Sequence, residues 1–232
     1  MKSILITGAG GNLGRAVINE IASDHFLHAA LGMGEDAKFF MEHPAKENIE
    51  TSFINLMDEM ACEAYVANLI QNTHDRISAA ILLVGGWQKG SLEETSLSDI
   101  DKMIKLNFAT AFNVVRPLIE YFKSAGKGRL IFIGARPAIN ANEAREQFAY
   151  AISKSMIIKM AEIINQANTQ FNIQAHVIIP SVLDTPQNRL AMPDANPADW
   201  VKPDHIAQTI RFLLSDPGND FRDTLLKIYN KA

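Results

Sequence analysis

The sequence has little of what marks several protein classes. It contains one cysteine, Cys62, in 232 residues, so no intramolecular disulfide can form, and a cytoplasmic location is expected. The formal charge of −4 provides no basic field for nucleic acid or an anionic membrane surface. The apolar start ends at Thr7, too short for a signal-peptide core or for the roughly 20 apolar residues of a spanning helix. We therefore expect neither a nucleic-acid nor a membrane partner.

Metal-binding patterns are also missing. None of the six histidines has a metal-ligand spacing, and Cys62 has no cysteine or histidine pair near it. We expect no metal site. His28 and His176 fall in predicted strands and are interpreted as histidines of the sheet interior.

Short apolar runs alternate with longer segments of helical period, which is typical of βαβ units on a parallel sheet. Strands are predicted over residues 2–7, 26–32, 50–54, 79–84, 128–133, 173–179 and 223–229. Helices are predicted over residues 12–23, 58–73, 98–124, 144–169 and 203–215, with Ser98 as a plausible cap before Asp101. Pro117 predicts a kink in its helix or a break just before it.

This pattern predicts a single α/β domain over residues 1–232, a doubly wound Rossmann fold with seven strands and helices on both faces. The cofactor half would cover about residues 1–135 and the catalytic and substrate half about residues 136–232. The proline-rich stretch 180–203 is interpreted as a substrate loop or lid.

A glycine cluster follows the first strand and precedes the first helix. It reads Thr7-Gly8-Ala9-Gly10-Gly11-Asn12-Leu13-Gly14. Glycines at this point let the backbone approach a pyrophosphate, which then lies on the free N–H groups of the helix start. The cluster alone is also compatible with a tight turn, but its position favours a dinucleotide site. No Gly-Lys-Ser/Thr occurs in it, which disfavours a P-loop hydrolase.

Tyr150 and Lys154 are four residues apart, so their side chains project from one face of the predicted helix. The pair alone is compatible with an exposed helix pair. The glycine loop, the Gly85-Gly86 turn after the fourth strand and this pair nevertheless converge at the carboxyl ends of the strands, where doubly wound sheets bind ligands.

On these motifs the chain resembles the short-chain dehydrogenase/reductase family. Further matches are Asn107 in Lys105-Leu106-Asn107-Phe108 and the segment Pro180-Ser-Val-Leu-Asp-Thr185. The resemblance implies that Tyr150 transfers a proton, that Lys154 holds the nicotinamide ribose and that Asn107 supports a water relay. It also implies NAD or NADP as cofactor, with contacts from Gly8, Gly10, Gly11, Asn12, Leu13, Gly14, Asn55, Gly85, Gly86, Lys154, Pro180, Val182 and Thr185. The family usually pairs through its fourth and fifth helices, which implies a homodimer or homotetramer through the segments near 98–124 and 144–169.

Four departures from the family pattern narrow the function. The glycines have the spacing Gly8-x-x-Gly11-x-x-Gly14, and the usual Asn-Asn-Ala-Gly is replaced by Leu83-Val84-Gly85-Gly86. The serine expected after the fifth strand is missing, because the chain reads Gly134-Ala135-Arg136. Gly32 stands where a carboxylate is expected after the second strand.

Several of these features are similar to dihydropteridine reductases, which reduce a quinonoid dihydropterin. A conjugated ring takes hydride readily, so a missing serine would be tolerable. Candidate substrate residues are Trp87, Ala135, Arg136 and Trp200, of which the two tryptophans could also be core or loop anchors. The alternatives are a reductase of small ketones or aldehydes, with Ser181 or another hydroxyl in the serine's place, and a dinucleotide-binding sensor without turnover.

The cofactor preference is open. Gly32 offers no carboxylate, and Arg15 or Lys38 would favour a 2′-phosphate, whereas Glu35 or Asp36 could reach back and favour NAD. The expectation is weak discrimination, with NADPH accepted.

Overall fold

A computed structural model describes residues 1–73 and 77–231. His74, one of the six histidines considered above, lies outside the described residues. The seven strands are β1 (Ser3–Thr7), β2 (Phe26–Leu31), β3 (Ile49–Phe53), β4 (Ile77–Leu82), β5 (Lys127–Ile133), β6 (Asn172–Pro180) and β7 (Leu225–Ile228). All of them pair in parallel, in the order β3-β2-β1-β4-β5-β6-β7. The predicted Rossmann fold is therefore confirmed.

Helices cover both faces of the sheet. They are α1 (Asn12–Ile21), α2 (Lys38–Met41), α3 (Glu59–Asn72), α4 (Leu97–Ile104), α5 (Thr110–Ala125), α6 (Ala141–Ala144), α7 (Phe148–Ala167), α8 (Pro186–Ala191) and α9 (Pro203–Leu214). α1 packs against α9 on one face, and α3, α5 and α7 bury the other, so each face has its own apolar core. The order of the strands reverses between β1 and β4, which opens a crevice at the carboxyl edge of the sheet.

Three local expectations were wrong or incomplete. The helix predicted over 98–124 is interrupted by a π turn over Lys105–Ala109, and it continues through Pro117 without a break. Its cap is Ser96 rather than Ser98: Ser96 and Asp99 form a capping box, and the helix begins at Leu97, one residue before the predicted range. The helix predicted over 144–169 is divided into α6 and α7.

The two histidines assigned to the sheet are buried there. His28 lies in β2 with Nδ1 3.1 Å from the Glu50 carboxylate, and His176 lies in β6 with Nδ1 2.9 Å from the carbonyl oxygen of Asp223. Among the described residues, no helix is long and apolar enough to cross a membrane.

Candidate active site

The glycine turn between β1 and α1 leaves backbone N–H groups free. Gly8 has a left-handed φ of 66°, and a Cβ on Gly14 would lie 2.4 Å from the Gly8 carbonyl oxygen, so glycine is required at both positions. α1 begins after Gly11 with no side-chain cap and no acidic residue in its first turn. Its first N–H groups and the positive end of its dipole therefore suit an anion such as a pyrophosphate.

A carboxylate lies beside this turn although Gly32 has none. The backbone N–H of Gly32 donates to Glu35 Oε2 at 2.8 Å, and a Cβ on Gly10 would lie 2.8 Å from the same oxygen. Arg15 is turned toward the loop backbone, where its Nε donates to the Gly10 carbonyl at 2.9 Å. Glu35, three residues after Gly32, thus places a carboxylate where the sequence has none at the end of β2.

Asn107 connects the turn after β4 to α7. Its side chain is 1% exposed and accepts a hydrogen bond from the Gly86 N–H at 2.9 Å. Its Nδ2 donates to the Gly86 carbonyl at 3.1 Å and to Ser153 Oγ at 3.0 Å. These contacts make Asn107 a positioning residue for the Gly85-Gly86 turn, and its part in a water relay stays a prediction.

Lys154 is buried at the same place. It is 6% exposed, and its Nζ donates to the Ile133 carbonyl at the end of β5 at 2.9 Å. A Cβ on Gly85 would lie 3.1 Å from this Nζ, so the ammonium group borders the turn after β4. Burial lowers the pKa of Lys154 to about 8.

Tyr150 lies in the first turn of α7, four residues before Lys154, and is partly exposed. Burial of the phenol raises the pKa of Tyr150 to about 12, so the hydroxyl is protonated at neutral pH. Among the described residues, no side chain or backbone group forms a hydrogen bond to its Oη. The phenol is therefore available to a ligand as a hydrogen-bond donor.

After β5, Ala135 stands where the resemblance places the family's serine. Ala135 is extended and 5% exposed, and the 3₁₀ turn Arg136–Ala138 that follows it packs against α7. Arg136 does not face a substrate freely: its Nε donates to both Glu143 carboxylate oxygens at 2.9 and 3.0 Å, and its guanidinium lies over the Tyr229 ring. This engagement argues against the substrate role expected for Arg136.

The two tryptophans have different environments. Trp87 is 60% exposed, and its Nε1 donates to Gln147 Oε1 at 2.6 Å. Gln147 precedes Tyr150 by three residues. Trp87 is thus a fixed surface ring at the mouth of the crevice rather than a core residue. Trp200 is only 4% exposed, so it anchors the loop, and the burial argues against its role as a substrate wall.

The predicted substrate loop contains α8 and a 3₁₀ turn over Pro197–Asp199. Thr185 caps α8 by accepting from the Asn188 N–H at 3.2 Å. Asn12 of the glycine loop donates to Gln187 of α8 at 2.6 Å, which joins this segment to the glycine loop. Pro180 is the last residue of β6, and Val182 accepts at its carbonyl from the Val201 N–H at 2.8 Å.

Asn55 lies two residues after β3 and is exposed, with its Oδ1 accepting from the Met57 N–H at 3.2 Å. It therefore reaches the same edge of the sheet as the other predicted contacts.

Sequence reasoning missed Gln147, Ser153 and the Asn12–Gln187 contact. Of these, only Ser153 could have been noticed in the sequence, as a small residue next to Lys154. Its side chain is fully buried against Asn107, where a large side chain would not fit.

Comparison with known proteins agrees with this geometry. The family model described as short chain dehydrogenase matches residues 2–196. An uncharacterized oxidoreductase of Staphylococcus haemolyticus is 20% identical over 217 residues, covering 93% of this chain and 91% of the relative. The dihydropteridine reductase of Dictyostelium discoideum is 23% identical over 216 residues, covering 90% of this chain and 86% of the relative.

Solved structures share the fold. ElxO with NADP bound has a TM-score of 0.88 at 18% identity, covering 98% of this chain and 96% of that one. Levodione reductase has a TM-score of 0.85 at 20% identity with the same coverage. The chain therefore belongs to the short-chain dehydrogenase family and is an NAD(P)-dependent oxidoreductase of that type.

Proposed function

We propose that this protein is an NADH-dependent reductase of a conjugated, electron-poor ring of the quinonoid dihydropterin kind, with Tyr150 as proton donor. The observation that carries the proposal is the buried Ala135, which offers no hydroxyl where the family binds a carbonyl oxygen. The likeness to a dihydropteridine reductase over most of the chain supports the same substrate class.

The residues present suit a nicotinamide dinucleotide. The uncapped N–H groups of Asn12, Leu13 and Gly14 would bind the pyrophosphate, and Lys154 would bind the nicotinamide ribose. Glu35 would accept from the hydroxyls of the adenine ribose. A bound reduced nicotinamide would supply the hydride. Further contacts are proposed from Gly8, Gly10, Gly11, Asn55, Gly85, Gly86, Pro180, Val182 and Thr185.

Tyr150 completes the reaction by giving its proton to the substrate. A phenol with its pKa raised to about 12 is protonated across the physiological range, as a general acid must be before it acts. The buried ammonium group of Lys154, one helical turn further along α7, stabilises the tyrosinate left behind.

The missing serine separates substrate classes by free energy. A ketone that gains hydride develops a negative oxygen, and removal of one hydrogen-bond donor to such an oxygen typically costs about 3–4 kcal/mol. A quinonoid pterin spreads the incoming electrons over its ring and needs less of this help. The exposed ring of Trp87, held by Gln147, would form one wall for the flat substrate.

A second candidate is a reductase of small ketones or aldehydes. Ser181 follows β6 directly, and its Oγ is buried with no hydrogen-bond partner in the structure. An orphaned hydroxyl near the end of the strands is a donor that could take over the missing serine's role.

A direct assay distinguishes the two candidates. The wild type is given NADH and NADPH in parallel against quinonoid dihydropterin and a panel of small ketones and aldehydes. We expect pterin reduction to exceed ketone reduction, and Ala135→Ser to improve only the ketones. Efficient ketone reduction that is lost in Ser181→Ala, with no pterin activity, would replace the first candidate by the second. Tyr150→Phe serves as the control for turnover.

We also propose a homodimer or homotetramer through α5 and α7. A surface cavity of about 510 Å³ between these helices is lined mainly by apolar side chains, including Phe112, Met156, Met160 and Ile163. Phe112 is 39% and Ile163 59% exposed, and exposed apolar patches of this kind mark interaction surfaces. Light scattering after size-exclusion chromatography should give an oligomer for the wild type and a smaller species for Ile163→Glu.

A further inference from the structure

A second cavity lies at the amino edge of the sheet, opposite the edge that carries Tyr150 and the glycine loop. It measures about 300 Å³ and is bounded by the beginnings of the central strands and by the turn after α9. Lys2 precedes β1, Ser78 and Ala79 belong to β4, and Lys127 and Arg129 belong to β5.

Arg129 is the unusual residue in this cavity. It is 7% exposed. Its backbone pairs with Ala79 of β4, whose side chain belongs to the apolar core between the sheet and α1 and α9, so the guanidinium lies on this same face of the sheet. Nη2 donates to Asn219 Oδ1 at 2.6 Å, whereas Nε is buried without any hydrogen-bond partner. Within the described part of the chain no carboxylate lies within 4 Å of the guanidinium. Buried arginines are normally paired, because an unpaired buried charge is costly.

The groups around Arg129 make the cavity positive. Lys2 and Lys127 line it together with Arg129, and among the lining residues that the structure describes Asp216 is the one carboxylate. Arg222 lies nearby and, together with burial, lowers the pKa of Arg129. His25 also lines the cavity, where burial lowers its pKa, so it is neutral at pH 7. Over residues 1–73 and 77–231, the lining thus has three cations against one carboxylate, which leaves two uncompensated positive charges.

We propose that this cavity is a binding site for a small phosphate-bearing dianion, with Arg129 as its central ligand. Two uncompensated charges match a phosphate near neutral pH, and a guanidinium pairs with phosphate oxygens through parallel N–H groups. The cavity volume of about 300 Å³ is among the smallest found for small-molecule sites, so the cavity fits inorganic phosphate or a small phosphate ester. Lys2 and Lys127 are exposed at its rim and would attract the anion.

Binding there would fasten several elements at once. The bound anion would lie between the starts of β1, β4 and β5 and the Asp216–Asn219 turn, and it would give the Arg129 guanidinium the negative partner that the described residues do not provide. This site is independent of the proposed reaction, because none of its residues lies at the carboxyl edge of the sheet.

The test is calorimetric titration of inorganic phosphate into protein saturated with NADH, so that the glycine loop is occupied. Ionic strength is held constant with chloride, and sulfate and glycerol phosphate are titrated in parallel. We expect one saturable site for phosphate, weakened at least about tenfold in Arg129→Gln and about threefold in Lys127→Gln. Arg145→Gln, which removes an exposed arginine outside the cavity, should leave the dissociation constant unchanged.

Lys127→Gln keeps the test decisive if Arg129→Gln fails to fold, because Lys127 is exposed. Tighter binding of glycerol phosphate than of inorganic phosphate would assign the site to an ester, and the reverse order would assign it to free phosphate. A dissociation constant weaker than about 10 mM, or equal affinities for the wild type and both cavity variants, would overturn the proposal.

Discussion

Substitution of Glu35 by glutamine tests how the protein chooses its cofactor. The carboxylate lies 2.8 Å from the Gly32 nitrogen and equally close to where a Cβ on Gly10 would be. Glutamine keeps an oxygen that can accept from Gly32 and from a ribose hydroxyl, but it removes the charge. Weak discrimination was expected because Arg15 or Lys38 would favour a 2′-phosphate while Glu35 or Asp36 could favour NAD; the position of Glu35 beside the glycine loop favours NADH.

The size of the effect follows from the charges. Glu35 is exposed, so its repulsion of a 2′-phosphate is calculated with the dielectric constant of water. Two unit charges about 4 Å apart then interact by about 1 kcal/mol. A doubly charged 2′-phosphate would therefore lose about 2 kcal/mol beside this carboxylate, or about thirtyfold in affinity. Glu35→Gln should raise the ratio of kcat/KM for NADPH over NADH by about that factor, mainly through NADPH.

The assay measures kcat/KM for both cofactors with one substrate, at low and at high ionic strength. Asp36→Asn is the matched control, because its Oδ1 accepts from the Lys38 N–H at 2.8 Å at the start of α2, whereas the Glu35 carboxylate accepts from Gly32. Salt should shrink the effect of Glu35→Gln by screening. The reasoning is refuted if the wild type already prefers NADPH, or if Glu35→Gln changes the ratio no more than Asp36→Asn does.

Four further variants test the site. Tyr150→Phe should lower turnover by about 10²–10⁴ with NADH affinity nearly intact, and retention of more than about a third of turnover would exclude proton donation. Gly14→Ala should weaken NADH binding at least about tenfold in fluorescence titration, because its Cβ would lie 2.4 and 2.5 Å from two backbone oxygens. Asn107→Leu should destabilise the fold by about 2–4 kcal/mol in urea unfolding, since both polar groups of Gly86 lose their side-chain partner. Because the folded pKa of Lys154 is about 8, below its unfolded value of 10.5, the unfolded chain binds more protons between these values. The unfolding free energy of the wild type should therefore rise by about 2 kcal/mol from pH 8 to 10 relative to Lys154→Met, and parallel pH profiles would contradict this.

Periodicity was sufficient to predict the sheet. Each predicted strand is present within two or three residues, because buried parallel strands are continuous apolar runs bounded by polar turns. The glycine loop and the Tyr150–Lys154 pair were also predicted, since their residue types are demanded by backbone approach and by helix spacing. What failed was local. Ser96-x-x-Asp99 and Ser98-x-x-Asp101 are equivalent as capping patterns, and only tertiary packing selects the first.

Side-chain direction was the other part that the sequence did not reveal. Arg136, which follows the missing serine, was expected at the substrate, but Glu143 is seven residues away and was not recognised as its partner. The sequence did not distinguish whether Trp87 and Trp200 were exposed or buried, yet Trp87 is 60% exposed and Trp200 is 4% exposed. These outcomes depend on contacts between segments that are not periodic, and no spacing rule describes them.

The altered turn after β4 is the departure that most needed explanation, because it motivated the alternative of a sensor without turnover. A Cβ on Gly85 would lie 2.7 Å from Asn107 Oδ1, and a Cβ on Gly86 would lie 2.4 Å from the Leu106 side chain. A Cβ on Gly85 would thus displace the buried Asn107 side chain and one on Gly86 would push Leu106 aside, because the π turn brings both side chains close to this turn. The same approach lets Asn107 hold both polar groups of Gly86 and the hydroxyl of Ser153, next to Lys154. A turn so closely fitted to the residues proposed for catalysis indicates a rebuilt active site rather than a decayed one.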